Sequence, residues 1–174
     1  MKILAIPGSI RQPSSAQQLL DEMVKLMPKG VEVNCFTGLS GIPAFDGSEP
    51  APEAVNAFID LIQNADGVII VTPEYAFGIP GALKNALDWT VSSGDFHNKP
   101  TALITASSQG EKGHAAMLLV LSALGAGIDS ETSLLIPFIR TRFNAAGALT
   151  DAAIIDEIKK LLEAFFFNIK INGC

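Results

Sequence analysis

The sequence is poor in the residues that build disulfide frameworks and metal sites. It has two cysteines, Cys35 and Cys174, and two histidines, His97 and His114. The histidines lie far from both cysteines and from any HExxH or CxxC spacing, so we expect no bound metal. Two cysteines do not make a disulfide framework, which suits a reducing compartment, and we therefore expect a cytoplasmic protein.

Long apolar runs and clusters of basic residues are also missing from the sequence. Hydrophobic residues make up 48% of the 174, yet no run approaches the roughly 20 apolar residues that a membrane-spanning helix requires. The 12 lysines and arginines are scattered through a chain of net charge −6, so there is no electrostatic footprint for nucleic acid. We expect neither a membrane nor a nucleic acid as a partner.

The sequence does contain short apolar runs that alternate with helical patterns. Continuous apolar runs predict strands buried on both faces at 3–6, 68–71, 102–105 and 134–136. The alternating segment VEVNCF, 31–36, predicts an edge strand with one exposed face. Helical spacing of apolar residues occurs at 19–27, 55–62, 83–91, 118–124 and 154–162. The opening run is interpreted as a strand rather than a leader, and residues 1–174 as one domain.

This order of elements predicts an α/β fold. We expect a doubly wound, five-stranded parallel sheet in the order 2-1-3-4-5 with helices on both faces. The switch point then lies between strands one and three, and ligands of open α/β sheets bind beyond the carboxyl ends of strands at such a point. Loops 7–14 and 72–80 meet there. The long segment 37–52 either packs on the surface through Ile42 and Phe45 or covers a ligand.

The first of these loops, GSIRQPSS, has the side chains of an anion site. Gly8 permits a tight exit from the strand, and Arg11 supplies a guanidinium suited to phosphate oxygens. Ser14 and Gln17 have the spacing of a capping box, so a helix N-terminus begins among these donors. Because no P-loop lysine is present, a phosphate monoester bound without metal is favoured. The alternative is an ordinary serine-capped helix with a solvent-facing arginine. The hydroxyls of the loop come from Ser9, Ser14 and Ser15.

The second loop, TPEYAFGIPG, favours a flat ligand. Pro73 and the turn residues after it keep the main chain of 74–77 out of a helix, so its N–H and C=O groups can border a planar heteroaromatic. Tyr75 and Phe77 can supply apolar walls, although a lone tyrosine in a turn is also typical of packing.

The third loop, 106–117, again follows a strand with serines and glycines. Ser107, Ser108 and Gly110 can close the other side of the ring site, or can simply cap a helix.

Taken in order, these segments resemble the NAD(P)H-dependent FMN reductases, a family with a flavodoxin-like fold that includes quinone, chromate and azo-dye reductases. GSIRQPSS is similar to the family's G-S-x-R-x-x-S-x-N, and IPAFD at 42–46 to its L-P-x-[FY]-[ND]. TPEY followed by PGALKNALDW, within 72–89, is the most specific match. KPTALITASSQG at 99–110 is similar to the family's next strand and loop.

The resemblance implies a flavodoxin-like FMN site in which the cofactor, not a side chain, carries the catalytic chemistry. The residues it implies are Ser9, Arg11, Ser14, Ser15 and Ala16 at the phosphate, and Pro73, Glu74, Tyr75, Ala76, Ser108 and Gly110 around the isoalloxazine. Three of the family's polar side chains are missing, because its two asparagines are Ala16 and Ala76 and its serine is Gly78. We therefore expect reduced FMN affinity.

The resemblance also implies the reaction and the partners. Hydride passes from NADPH or NADH, by way of FMN, to a flavin, a quinone or a similar small acceptor, and the protein is a homodimer or homotetramer. The alternatives are a flavodoxin-like electron carrier and a degenerate flavin-binding protein. Arg140 and Arg142 are interpreted as solvated surface residues, with the 2′-phosphate of NADPH as the alternative role. Trp89 and the apolar segment 165–167 belong either to the core or to a subunit interface.

Overall fold

Five parallel strands form one sheet in the order β2-β1-β3-β4-β5. The computed structural model describes residues 1–172, so Cys174 lies outside the described residues. The strands are β1 (Lys2–Pro7), β2 (Glu32–Cys35), β3 (Gly67–Thr72), β4 (Thr101–Ala106) and β5 (Ser133–Ile136). The predicted sheet and its order are confirmed. The expected edge strand is also observed, with Glu32 and Asn34 exposed and Val33 and Cys35 half-buried.

Helices connect the strands and cover both faces of the sheet. They are α1 (Ser15–Leu26), α2 (Glu53–Gln63), α3 (Gly81–Asp88), α4 (Glu111–Ala123) and α5 (Ala152–Asn172), with short 3₁₀ helices at Gly38–Gly41 and Ile139–Arg142. Side chains alternate across a strand, so Ile69 and Val71 of β3 pack with α1 and α5 while Val68 and Ile70 pack with α2, α3 and α4. Every residue of β3 and β4 is buried, which explains why both strands consist of apolar residues, glycine and threonine, without a charged residue.

Trp89 and two of the three phenylalanines at 165–167 belong to the core, whereas Phe167 is 62% exposed. Trp89 is buried and its indole N–H donates to the Pro43 carbonyl at 2.9 Å, while its ring meets Phe45 edge-on with centroids 5.0 Å apart. This holds segment 37–52 against α3, in agreement with the packing interpretation of that segment. In α5, Phe165 and Phe166 are buried against the sheet. Among the described residues, no helix is long and apolar enough to cross a membrane.

Candidate active site

A cavity of about 400 Å³ opens at the carboxyl edge of the sheet, above the ends of β1, β3, β4 and β5. This is the switch point of the strand order, where the topology predicts a ligand site. Its volume lies in the range of small-molecule pockets. The lining residues are Ser9, Arg11, Pro13, Ser14, Ser15, Ala16, Pro73, Glu74, Tyr75, Ala106, Ser107, Ser108, Phe138, Ile139, Arg140 and Thr141.

The β1–α1 loop leaves the strand through a very close approach to β3. A Cβ atom on Gly8 would lie 2.5 Å from Thr72 Oγ1 and 2.7 Å from Thr72 Cβ, so only glycine fits there. The Gly8 N–H donates to the Val71 carbonyl at 2.7 Å. These contacts direct the following residue, the buried Ser9, toward the cavity, where the Arg11 N–H donates to Ser9 Oγ at 3.2 Å.

Ser14 is the N-cap of α1, as the sequence predicts, but the predicted capping box with Gln17 is wrong. Ser14 Oγ accepts the Ala16 N–H at 3.2 Å and acts as the N-cap. The Gln17 side chain instead donates to Asp21 Oδ1 at 2.8 Å and lies beside Cys35. Gln17 therefore supports the helix surface and the edge strand, because Asp21 and Cys35 engage its side-chain amide.

The β3–α3 loop contains a tight two-residue turn. Ala76 and Phe77 have φ angles of 49° and 60°, and Tyr75 and Gly78 exchange backbone hydrogen bonds of 3.0 and 2.9 Å. Positive φ at both central residues defines a type I′ turn. The N–H and C=O of Tyr75 are thus paired within the turn, so the expectation that the main chain of 74–77 is free to border a ligand is wrong for this residue. Phe77 is 67% exposed and does not line the cavity, so it is not one of its walls.

Tyr75 and Glu74 link this turn to the neighbouring loops. Tyr75 Oη and Ser9 Oγ share a hydrogen bond of 2.8 Å across the cavity floor between the β1 and β3 loops. The Glu74 N–H donates to Ser107 Oγ at 3.3 Å. The Glu74 carboxylate accepts the Gly113 N–H at 2.6 Å, and a Cβ on Gly113 would lie 3.0 Å from Glu74 Cγ. Glu74 therefore fixes the first turn of α4 against the site, a role that sequence reasoning missed.

The β4–α4 loop is shorter than predicted. Helix α4 begins at Glu111, so the predicted loop 106–117 is wrong over its second half. Gly110 is the N-cap with φ 109°, and a Cβ there would lie 2.7 Å from Leu135 Cδ1, which requires glycine. Within the first turns, His114 Nδ1 lies 2.9 Å from Thr105 Oγ1, and burial lowers the pKa of His114. The first turn of α4 was predicted as loop because it contains Gly113 and His114, which are poor helix formers.

The β5–α5 loop forms a fourth wall that sequence reasoning missed. Phe138, with φ 54°, is 58% exposed and lines the cavity beside the buried Ile139. The Ile139 N–H donates to the Ser107 carbonyl at 3.1 Å, which ties this loop to the β4–α4 loop. Arg140 lines the cavity and is exposed, whereas Arg142 pairs with Asp151 at 2.7 Å outside it. The strand order could have predicted this wall, because the segment PFIRTRF follows β5, whose carboxyl end lies at the same edge of the sheet.

Nine of the eleven residues predicted for the site line the cavity, namely Ser9, Arg11, Ser14, Ser15, Ala16, Pro73, Glu74, Tyr75 and Ser108. Ala76 and Gly110 do not line it. Both have positive φ angles, of 49° and 109°, and shape the backbone turns of their loops. Two further lining residues, Ser107 and Arg140, had a site role only as one of two alternatives, and the remaining ones, Pro13, Ala106, Phe138, Ile139 and Thr141, were not predicted.

The cavity is positively charged in a chain of net charge −6. Its lining contains two arginines and one carboxylate, and that carboxylate, on Glu74, is already bonded to α4. Neither Arg11 nor Arg140 has an ion-pair partner within residues 1–172. The hydroxyls of Ser15 and Ser108 likewise make no hydrogen bond there. Such a lining suits an anionic group beside an apolar body.

Comparison with known proteins places this geometry in one family. Residues 1–139 match the family model of the NADPH-dependent FMN reductases. A quinone reductase of Escherichia coli K12 is 31% identical over 176 residues, which cover 95% of this chain and 93% of the relative. An NAD(P)H-dependent FMN reductase of Pseudomonas aeruginosa is 32% identical over 173 residues, covering 94% and 92%.

A solved structure has the same fold over nearly the whole chain. FerB, a flavoenzyme NAD(P)H:(acceptor) oxidoreductase from Paracoccus denitrificans, superposes with a TM-score of 0.85 at 25% identity and covers 97% of both chains.

Proposed function

This chain belongs to the NADPH-dependent FMN reductase family, and we propose that the cavity at the carboxyl edge of its sheet is its FMN site, through which NAD(P)H reduces a small acceptor of the quinone or flavin type. The acceptor class draws on relatives named quinone reductase and 2-hydroxy-1,4-benzoquinone reductase, the latter 32% identical over 174 residues. Ser9, Arg11, Ser14, Ser15, Pro73, Glu74, Tyr75 and Ser108 are its proposed contacts, with Ala16 at the phosphate end.

The observation that carries the proposal is the distribution of polar and apolar groups in one cavity. The cavity wall at the start of α1 contains Arg11, Ser14 and Ser15. Their guanidinium and hydroxyl groups can bind a phosphate without a metal. Pro73 and Tyr75 line it beyond the end of β3, where a flat ring system finds apolar walls. The donor set thus fits a phosphorylated planar cofactor.

The protein's part in the reaction is to bind and orient. Hydride transfer between the nicotinamide and the acceptor is the chemistry that bound FMN would supply. Arg11 and the α1 serines would hold its phosphate end. Tyr75 is held by Ser9 at 2.8 Å and Glu74 by Gly113 at 2.6 Å, so hydrogen bonds within the protein position both side chains. No side chain needs to act as an acid or base.

A homodimer or homotetramer in the cytoplasm completes the proposal. Helix α4 carries apolar residues on its outward side, where Leu119 is 73% exposed, and Val91 near the end of α3 is 65% exposed. Exposed apolar side chains on neighbouring helices support a subunit interface.

Titration with FMN, followed by steady-state turnover, tests the proposed function. We expect the protein to quench FMN fluorescence, and to oxidise NADPH or NADH when FMN and a benzoquinone are supplied. The Arg11→Ala variant should bind FMN about 10- to 100-fold more weakly, as expected when a hydrogen bond to a charged group is lost. Lys29→Ala, which removes an exposed charge before β2, is the matched control. Unchanged FMN fluorescence with folded protein would refute the site, and binding without turnover would indicate an electron carrier.

A further inference from the structure

The β5–α5 loop presents Arg140 to the cavity from a firmly held backbone. Phe138 N–H donates to the Ser108 carbonyl at 3.3 Å, and Ile139 N–H donates to the Ser107 carbonyl at 3.1 Å. Ile139 is only 3% exposed, so its side chain anchors the residue just before Arg140. Beyond it, Arg142 is tied to Asp151. The chain is therefore held to the β4–α4 loop just before Arg140 and to the start of α5 just after it.

The two arginines of this loop are in different electrostatic situations. Arg142 Nη1 lies 2.7 Å from Asp151 Oδ2, so its charge is balanced within the fold. Arg140 lines the cavity and has no hydrogen bond or ion pair from its side chain within residues 1–172. An exposed arginine without a partner is ordinary on a surface, but here it shares a cavity with a second unpaired arginine, Arg11.

The charge of a phosphate monoester explains why two guanidinium groups would share this cavity. Such a group carries about −1.5 to −2 charges at pH 7, so one arginine leaves it incompletely neutralised. The β1–α1 loop supplies Arg11 alone, and Ala16 removes an amide that the family motif provides. Glu74 is the one carboxylate of the lining, and its charge is directed at the Gly113 N–H.

We propose that Arg140 is a second phosphate-binding residue of this cavity and that it holds a phosphate monoester together with Arg11. The inference rests on the proposed function for the identity of that ester. The phosphate of FMN is the favoured source, because Arg140 lines the same cavity as Arg11, Ser14 and Ser15. The 2′-phosphate of NADPH is the other source of the same chemistry, and the experiment separates the two.

The test compares FMN with riboflavin, which lacks the phosphate, by fluorescence titration. For Arg140→Ala we expect FMN affinity to fall about tenfold or more while riboflavin affinity stays at the wild-type value. Arg140→Lys, which keeps the charge but not the planar fork, should recover part of the loss. The dependence of FMN affinity on salt should also weaken in Arg140→Ala. Lys29→Ala serves as the control for loss of a positive charge away from the cavity.

The outcomes separate this inference from the proposed function. If Arg140→Ala leaves FMN affinity unchanged but raises the KM for NADPH and not for NADH, Arg140 still binds a phosphate monoester, that of the reductant. If FMN, riboflavin, NADPH and NADH all behave as in Lys29→Ala, the inference is overturned while the FMN site stands. An equal loss for FMN and riboflavin, accompanied by a lower melting temperature, also overturns it and assigns Arg140 a structural role.

Discussion

Replacing Gly8 with alanine tests whether the site depends on the close approach of β1 to β3. The added Cβ would lie 2.5 Å from Thr72 Oγ1, 2.7 Å from Thr72 Cβ and 2.8 Å from Leu83 Cδ2, all well inside the 3.4 Å at which ordinary contact begins. Thr72 ends a central strand that is paired on both sides, and Leu83 is fully buried in α3. Thr72 Cβ is bonded directly to the backbone of that strand and cannot turn away, so the backbone of the β1–α1 loop must move.

The expected loss of stability follows from these overlaps. Overpacking in a well-packed core costs about 1–3 kcal/mol, and three overlaps with immobile atoms place Gly8→Ala near the upper end. The restriction that alanine imposes on the unfolded chain offsets about 0.4–1 kcal/mol. We therefore expect the free energy of unfolding to fall by about 2 kcal/mol, which lowers the urea midpoint by about 1 M if the m value is near 2 kcal/mol/M.

Urea unfolding of two variants, with FMN titration of the same samples, provides the assay. Gly81→Ala is the matched control, since a Cβ at this first position of α3 meets nothing within 4 Å. It should be neutral or stabilising by up to about 1 kcal/mol. In Gly8→Ala, FMN affinity should also fall, because the displaced loop carries Ser9 and Arg11. A Gly8→Ala midpoint equal to that of Gly81→Ala would refute the reasoning. Thr72→Ala should partly rescue Gly8→Ala, because it removes the nearest of the clashing atoms.

Two further predictions concern backbone strain and pH. Ala76→Asn should raise the free energy of unfolding by about 0.5–1 kcal/mol, because asparagine tolerates the left-handed φ of 49° at this position. The control is Ala115→Asn, exposed in α4, which should lower the free energy of unfolding by about 0.5 kcal/mol. Equal effects at both positions would contradict the strain argument. Burial lowers the pKa of His114 from its ordinary 6.5, so the unfolded chain binds the proton more readily and stability should be lost as pH falls through that value. The His114→Gln variant should lose less stability than the wild type over this range in pH-dependent denaturation, and an identical loss would exclude His114 as its source.

The sheet could be predicted from the sequence because burial on both faces leaves an unambiguous signal. Strands β3 and β4 are buried at every position, so they carry no charged residue, their only polar side chains are buried threonines, and neither strand fits an amphipathic pattern. Strand β2 has one exposed face, and its alternation gives the edge position. With the strand order known, the ends of β1 and β3 locate the switch point, and most of the predicted side chains do line the cavity there.

The parts of the site that could not be predicted depend on contacts distant in sequence. Glu74 bonds to Gly113, 39 positions away, and no local pattern marks either residue as a partner. Turn residues 76 and 77 are alanine and phenylalanine, whereas a type I′ turn normally uses Asn and Gly, so the loop could be predicted but not this type of turn. Arg140 and Arg142 have similar surroundings in the sequence, and they are distinguished only in the structure, where Arg142 pairs with Asp151 and Arg140 lines the cavity.

The hydrogen bonds between loops bear on how tightly such a site can bind. Tyr75 joins Ser9 of the first loop, Glu74 joins Ser107 of the third, and the backbone of Ile139 in the fourth also bonds to Ser107. Four chain segments are therefore linked by hydrogen bonds within the protein itself, and such links reduce the ordering entropy that is lost on binding. The asparagine side chains that are missing at Ala16 and Ala76 lower the expected FMN affinity, whereas these links between loops raise it. Breaking one of these hydrogen bonds between loops should therefore change the dissociation rate of FMN more than placing asparagine at position 16 or 76.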